Sequence, residues 1–354
     1  MKSASHNKSS RWARLGRLAF TGAVLLTTEH QLQRVSVAQA TPAAPTTGIT
    51  VSAADRNPSS WSAFFQPLPK DANSTENPIT PEKVALGRKL FLDTSLSINQ
   101  KISCNSCHGL STYGVDNEAT SPGHDGTRGT RNSPTVYNAA LHFVQFWDGR
   151  AKDVEAQALG PVLNPVEMAM PAEAEVLRRL TTSAEYPGLF KKAFPGEGGA
   201  VSFSNMGKAI GAFERTLLTP SRFDDFLSGD AKALTDNELR GMITFRDVGC
   251  VACHNGVTVG GQLYQKIGLL KPYPTTDLGR YEVTKNESDK YVFKVPSLRN
   301  VTKTAPYFHN GEVKTLDEAI LRMGEYQLGR SLSTEQVESI AAFLGALTAE
   351  KLPS

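Results

Sequence analysis

This chain of 354 residues has few cysteines, no long hydrophobic run and no large excess of charge of either sign. The apolar run at 18–26 is far shorter than the roughly 20 residues that span a bilayer, so we do not expect a transmembrane anchor. The formal net charge is +3 and includes a basic N-terminal stretch, so nothing in the composition indicates a nucleic-acid partner. The chain has four cysteines, and their positions are informative.

The four cysteines form two copies of the pattern C-x-x-C-H, at 104–108 and 250–254. In this pattern the two sulfurs add covalently to the vinyl groups of a haem, and the adjacent imidazole becomes the fifth iron ligand. A Cys₂His₂ zinc site would need more ligands at finger spacing, and a thioredoxin-type dithiol needs no following histidine. We therefore predict two haem c groups. The residues that attach and ligate them are Cys104, Cys107, His108, Cys250, Cys253 and His254.

The first 40 residues have the pattern of an export signal. Basic residues between 8 and 17 precede the apolar run, and 37–40 ends in small residues suited to cleavage. We expect residues 1–40 to be a signal peptide and the protein to be periplasmic. We expect 41–57, much of it rich in Thr, Ala and Pro, to be a flexible segment.

An internal repeat indicates two domains with a shared plan. Helical patterns precede both haem motifs, at 81–91 and 235–245, and the second opens with a Thr-x-x-Glu capping box. The chain has no convincing series of alternating strands. We predict an all-α fold of two cytochrome c-like domains, 58–219 and 220–354, each carrying one haem. The residues that recur 162 positions later are Pro134, Asn138, Phe146, Gly149, Lys152 and Leu159.

The sixth iron ligands are expected to differ between the two haems. After His254 the methionines reduce to Met323, and a thioether ligand raises the potential of a haem. The first half has no methionine between its haem motif and position 168. Its candidates are His124, in the glycine-rich segment 121–129, and His142. A histidine in a flexible loop can bind iron and leave it, which favours His124 modestly and leaves His142 open.

Longer motifs connect the chain with a known family. They are 86–108 around the first haem motif, 131–138 (RNSPTVYN), 145–150 (QFWDGR), 166–168 (VEM) and 305–309 (APYFH). In this order, and over nearly all of the chain beyond residue 40, they resemble the bacterial di-haem cytochrome c peroxidases. We therefore expect the fold and the chemistry of that family.

The resemblance implies different roles for the two haems. The first haem is peroxidatic and of low potential, and the second is of high potential and receives electrons. His124 matches the detachable sixth ligand of the first haem, and Met323 matches the permanent ligand of the second. Glu167 matches the catalytic carboxylate, and Gln157 matches its amide neighbour. A carboxylate beside haem in an apolar pocket should have a raised pKa, which suits proton exchange with peroxide.

The resemblance also implies features at the junction of the domains. Trp147 matches a tryptophan that lies between the haems and helps to couple them, although an aromatic in such a segment is most often core packing. Asn132, Thr304 and Pro306 match ligands of a calcium ion, the latter two through backbone carbonyls, and oxygen ligands suit Ca²⁺. A homodimer is expected by the same resemblance.

The predicted function is the reduction of hydrogen peroxide to water with electrons from a small soluble redox protein, a cytochrome c or a copper protein (cupredoxin). Two alternatives are considered. A di-haem oxidase that matures a protein-derived quinone cofactor resembles this chain but has a tyrosine as the ligand, so Met323 disfavours it. A di-haem protein that only transfers electrons needs no catalytic carboxylate, so Glu167 and Gln157 disfavour that alternative.

Overall fold

The computed structural model describes residues 48–353, which are mainly helical. The predicted signal peptide, 1–40, and the start of the predicted flexible segment, 41–47, lie outside the described residues. No helix between 48 and 353 is long and apolar enough to cross a bilayer. The α-helices are α1 Pro81–Leu92, α2 Cys104–Cys107, α3 Val154–Leu163, α4 Glu173–Thr182, α5 Tyr186–Ala193, α6 Phe203–Glu214, α7 Arg222–Leu227, α8 Asp236–Val248, α9 Tyr281–Thr284, α10 Leu316–Arg322 and α11 Thr334–Ala346.

The two helices predicted before the haem motifs are α1 and α8. The side chain of Thr80 caps α1 by accepting a hydrogen bond from the Lys83 backbone N–H at 3.2 Å. The predicted capping box of α8 forms between Thr235 and Glu238. In the described residues the sheet is one antiparallel pair of short strands, β1 Tyr264–Lys266 and β2 Val292–Lys294. The prediction of an all-α fold is therefore confirmed as a helix-rich fold with a small β-ribbon.

In the first half, α1 and α6 pack closely around a glycine. A Cβ at Gly87 would lie 1.8 Å from the backbone oxygen of Ala209, so no larger residue fits at this contact. One turn further along, Phe91 and Phe213 meet edge to face with ring centroids 5.5 Å apart. All four residues are buried within the first core, which is therefore built around this helix pair.

The second half repeats this arrangement in α8 and α11. A Cβ at Gly241 would lie 1.9 Å from the backbone oxygen of Ser339. Phe245 and Phe343 meet with ring centroids 5.4 Å apart at an interplanar angle of 61°, against 63° for the pair in the first half. The two cores therefore have the same central contact, as the sequence repeat predicts.

The repeated asparagines join the halves. Asn138 and Asn300 both adopt left-handed backbone conformations, with φ of 61° in each case. Their side-chain amides donate to the same acceptor, Thr219 Oγ1, at 2.7 and 2.8 Å. Because all three residues are fully buried, this shared hydrogen bond fixes the relative position of the two repeats.

Residues before α1 pack on the second core rather than on the first. Trp61 and Phe65 are each 1% exposed and lie in the same hydrophobic cluster as Phe223 and Phe343. Phe65 meets Phe223 edge to face at 5.4 Å. The domain boundaries 58–219 and 220–354 stay a prediction, but by contact the segment 58–65 belongs to the second core.

Candidate haem sites and catalytic residues

The first haem motif forms the single helical turn α2. Residues three apart lie on one face of a helix, so Cys104 and Cys107 face the same way. Burial lowers the pKa of His108, and its imidazole is therefore neutral and able to bind a metal. The Nδ1 atom of His108 is 3.4 Å from the carbonyl oxygen of Gly114, a contact that orients Nε2. This arrangement of two thiols and one neutral imidazole fits covalent haem.

The second haem motif follows α8 directly. Gly249 ends α8 with a φ of 108°, a left-handed conformation that favours glycine. Cys250–Ala252 then forms a 3₁₀ turn that leads to Cys253 and His254. Burial lowers the pKa of His254 to about 4, so its imidazole is also neutral near pH 7.

A cavity of about 450 Å³ lies beside the second motif. Its wall includes both thiols, the imidazole of His254 and the thioether of Met323, which is the donor set predicted for the second haem. The residues present therefore fit a haem c. Apolar side chains that would contact a porphyrin also line the cavity, among them Phe245, Leu316, Ile320, Leu328, Ile340 and Leu344.

Met323 lies where α10 passes into a π-helix, Met323–Gln327. The preceding helix begins at Thr315, whose side chain accepts a hydrogen bond from the Glu318 backbone N–H at 3.2 Å. π-helical turns are frequent at functional sites, and this one begins at the predicted ligand. The residue predicted as the sixth ligand of the second haem thus lies in a helix and not in a loop.

His124 lies in a loop beside the segment that carries Glu167. Its backbone N–H donates to the Glu167 carbonyl oxygen at 2.8 Å, and a Cβ at Gly123 would lie 2.1 Å from the Val166 oxygen. The His124 side chain is 22% exposed, with Nε2 3.9 Å from an oxygen of Asp125. The structure thus brings together the predicted detachable ligand and the predicted acid–base residue, which are 43 positions apart in the sequence.

Glu167 occupies the turn after α3. Its backbone N–H donates to the Asn164 carbonyl oxygen at 3.0 Å, which closes the turn. Burial raises the pKa of the Glu167 carboxyl, while Arg150 and a hydrogen bond from Asn164 act in the opposite direction. Gln157 lies half-buried on α3 itself, so a single helix and turn carries both predicted residues.

The structure places His142, the other candidate for the first haem, elsewhere. His142 lines the cavity of the second motif together with His254 and Met323. A Cβ at Gly261 would lie 2.4 Å from Cδ2 of His142, so the ring is tightly enclosed by the second half. This position favours His124 as the ligand of the first haem.

Trp147 connects the two halves. Its Nε1–H donates to the Asn132 carbonyl oxygen at 2.9 Å, and its own carbonyl oxygen accepts from the Lys294 backbone N–H at 2.8 Å. The side chain lines the second cavity. Trp147 is partly buried and belongs to neither hydrophobic core, so its contacts here are hydrogen bonds to both halves.

The predicted calcium ligands lie on the wall of this same cavity. Asn132, Thr304 and Pro306 all line it. The Asn132 backbone N–H donates to the His309 carbonyl oxygen at 2.7 Å, and its Nδ2 donates to the Glu118 carbonyl oxygen at 2.9 Å. The contact with His309 brings the asparagine from the first half to the segment of the second half that contains the other two residues.

Comparison with known proteins identifies the family. A sequence model described as di-haem cytochrome c peroxidase matches residues 81–232. The cytochrome c551 peroxidase of Pseudomonas aeruginosa is 48% identical over 82% of this chain and 86% of that protein. The cytochrome c551 peroxidase of Nitrosomonas europaea is 47% identical over 77% of this chain and 83% of that protein. The chain belongs to the di-haem cytochrome c peroxidase family.

A solved structure supports the same assignment at the level of the fold. The crystal structure of a MauG-like protein associated with microbial copper homeostasis has a TM-score of 0.72 and 30% identity, covering 80% of this chain and 94% of that one. The resemblance read from the sequence motifs is thereby confirmed. The chain is a di-haem peroxidase, an oxidoreductase, and membership of the family implies two haem c groups.

Two charged groups near the family motifs were not identified from the sequence. Arg131 lies between the halves and binds Asp148 at 2.5 Å and Asp277 at 2.7 Å. Lys294 is buried in β2 and lines the second cavity. The sequence does indicate that Lys294 is unusual, because it is a lone lysine within the otherwise apolar stretch 291–296, which contains no acidic residue.

Proposed function

We propose that this member of the family reduces hydrogen peroxide to two waters with two electrons from a small soluble redox protein. The observation that carries the proposal is the hydrogen bond from the His124 backbone N–H to the Glu167 backbone carbonyl oxygen, because it places a loop histidine beside the residue whose carboxyl pKa is raised by burial. The donor class follows from the relatives, which are named for cytochrome c551, and a cupredoxin is the second candidate.

Eight residues hold the two cofactors in this proposal. When bound, the haems supply the iron at which peroxide is reduced and the iron that accepts electrons from the donor. Cys104, Cys107, His108 and His124 would hold the first haem. Cys250, Cys253, His254 and Met323 would hold the second.

Glu167 handles the proton. Its carboxylate accepts a proton from one peroxide oxygen and returns it to the other, which then leaves as water. Burial raises the pKa of the Glu167 carboxyl, which makes its carboxylate a stronger base and the first transfer easier than it would be for an exposed carboxylate. Gln157, on the helix that leads to Glu167, orients peroxide or water without taking a charge.

His124 controls access in this mechanism. Its loop is held by the bond to the Glu167 carbonyl oxygen, and its side chain is in partial contact with solvent. Departure of the ring uncovers a position next to Glu167, so opening and acid–base chemistry occur at one place. Such a departure is an equilibrium between two loop arrangements that the redox state biases.

Further features complete the proposal. Trp147 couples the two sites electronically, and Asn132, Thr304 and Pro306 hold a calcium ion at the junction. After removal of residues 1–40, the chain contains two haem domains, 58–219 and 220–354. Two such chains form a homodimer in the periplasm. The donor binds to the second half.

Peroxide-dependent oxidation of a reduced donor tests the proposal. We expect the purified protein, carrying both haems and reduced by one electron, to oxidise a reduced cytochrome c or cupredoxin only when peroxide is present. The control is the protein with the donor but without peroxide. Turnover equal to the rate without protein, in a sample with full haem content, would contradict a peroxidase.

The gate has its own test. His124→Gly should open the first haem in the fully oxidised protein, so that peroxide reacts without prior reduction. Electronic and EPR spectra should show loss of the low-spin signal with two nitrogen ligands. His142→Leu is the matched control, and it should leave that signal intact because His142 lines the second cavity. The opposite pattern would assign the ligand to His142.

The second haem has a parallel test. Met323→His replaces a thioether by an imidazole and should lower the potential of this haem, so that mild donors no longer reduce it. A redox titration of both haems measures the change. An unchanged higher potential would show that Met323 is not the ligand.

A further inference from the structure

Lys294 is a buried cation beside the second cavity. It is 5% exposed, it lines the cavity, and its backbone is fixed in β2 by pairing with Tyr264. Burial alone lowers the pKa of the ammonium to about 8, and no carboxylate among residues 48–353 offsets this effect. Buried lysines are rare without a negatively charged partner, since removing the ammonium from water costs several kcal/mol.

The side-chain partner of Lys294 is a histidine. The Nζ of Lys294 donates to Nδ1 of His142 at 3.2 Å, and His142 lines the same cavity. Burial and the neighbouring ammonium lower the pKa of His142 well below its ordinary value, so the ring is neutral. Because Nδ1 accepts, the ring proton is on Nε2, which is buried without a hydrogen-bond partner among the described residues. An unpaired buried donor of this kind costs about 1–3 kcal/mol.

We propose that Lys294, held by His142, binds a carboxylate in the second cavity, and that this carboxylate is a propionate of the haem itself. The inference rests on the proposed function only in requiring a haem in this cavity. Among the described residues, one N–H of the ammonium has a partner and two are unused, which suits a carboxylate, and the pair would compensate the buried charge. Lys294 also donates its backbone N–H to Trp147, so the charge lies where the two halves meet.

The bound cation acts on the potential of the second haem. A fixed positive charge disfavours the ferric state, which carries one more positive charge than the ferrous state. Lys294 therefore raises the potential without contacting the reacting atoms, and it is a positioning residue. Its loss should reduce the ratio of ferrous to ferric second haem, at a given applied potential, by on the order of tenfold.

Two substitutions and one control test this inference by redox titration of both haems in the assembled protein. Lys294→Gln should lower the potential of the second haem and leave that of the first unchanged, with both haems still attached. Lys294→Arg keeps the charge and should retain most of the parent potential. Lys303→Gln removes a charge from an exposed lysine and should change neither potential. A Lys294→Gln protein that titrates like Lys303→Gln would overturn the inference, as would a folded Lys294→Arg protein with the lowered potential.

The source of the carboxylate is tested on the parent protein. If the haem provides it, the second potential will not change when acetate replaces an inert salt at constant ionic strength. A potential that shifts with acetate in the parent but not in Lys294→Gln would show that the pair binds free anions, and would overturn the haem assignment. None of these measurements depends on peroxide turnover, so a protein without peroxidase activity would refute the proposed function and leave this inference standing.

Discussion

The first half packs Gly87 of α1 on Ala209 of α6, and the second half packs Gly241 of α8 on Ser339 of α11. The helix pairs next to the two haem motifs thus have nearly the same packing. The angle between the phenylalanine rings one turn further on is also nearly the same. The residues predicted to lie opposite the proximal histidines are not the same. This contrast separates what a haem domain needs in order to fold from what makes one of the two sites reactive.

The predicted sixth ligands show the difference most clearly. His124 is on a loop, its side chain is 22% exposed, and its backbone N–H donates to the backbone oxygen of Glu167. Met323 starts a π-helical turn on the wall of a largely apolar cavity. A loop can move at little cost, whereas displacement of Met323 would disturb a helix. The proposed division into a gated site and a permanently ligated site follows from these supports.

The largest expected effect comes from removing Glu167, the proposed acid–base group of the first site. Glu167→Gln keeps the size and hydrogen bonding of the side chain but cannot accept the proton. Turnover with peroxide should fall by about 10² or more, equivalent to about 2.7 kcal/mol, with haem content and both potentials near the parent values. Steady-state assays with a reduced donor measure the loss, and stopped-flow mixing with peroxide locates it.

The matched control for this change is Glu173→Gln, which removes an exposed carboxyl at the start of α4. We expect it to turn over like the parent. Full activity of Glu167→Gln would remove Glu167 from the mechanism and assign the proton transfer to another group.

The shared helix contact can be broken in one half at a time. Gly87→Ala and Gly241→Ala each place a Cβ within 2 Å of a backbone oxygen, so each should lower the free energy of unfolding by about 2 kcal/mol. Gly87→Ala should disturb the spectrum of the first haem, and Gly241→Ala that of the second. Urea unfolding followed by haem absorbance measures both effects.

Gly345→Ala serves as the control for both glycine variants. Nothing lies within 4 Å of a Cβ at this position of α11, so the substitution should stabilise the protein by about 0.5–1 kcal/mol. Equal losses at all three glycines would show that the close contacts are not the cause.

A pH-dependent effect distinguishes the residues that follow the paired phenylalanines in α6 and α11. Glu214 follows Phe213 in the first half, where Leu344 follows Phe343 in the second. Burial, together with the charge of Glu155, raises the pKa of the Glu214 carboxyl from 4.5 to about 8. The contribution of this group to stability is therefore fully present below about pH 4.5 and is lost as the pH rises toward 8, at up to about 1.4 kcal/mol per pH unit.

Glu214→Gln should remove that part of the pH dependence, because the amide does not titrate. Urea unfolding of the parent and the variant at several pH values between 5 and 8 tests this prediction. Parallel stability curves for the two proteins would mean that the Glu214 carboxyl is ionised in the folded state.

Local patterns were sufficient to predict the haem motifs and part of the fold. The two C-x-x-C-H motifs, the helices before them and the capping box at Thr235 depend on residues within a few positions of one another, and the structure confirms those helices and that cap. The 162-residue repeat likewise predicted two similar cores. Met323 was predicted as a ligand from composition, since the second half has no other methionine after its haem motif.

Tertiary packing decided the features that join distant segments. From residue types alone, His124 and His142 were nearly equivalent candidates for the ligand of the first haem. The folded chain places His124 beside Glu167 and His142 on the wall of the cavity beside the second haem motif. Lys294 would be an exposed lysine in most settings, and the pairing of β2 with β1 buries it instead. Some of these contacts join residues more than 40 positions apart in the sequence. A local sequence pattern does not predict how such distant elements pack together.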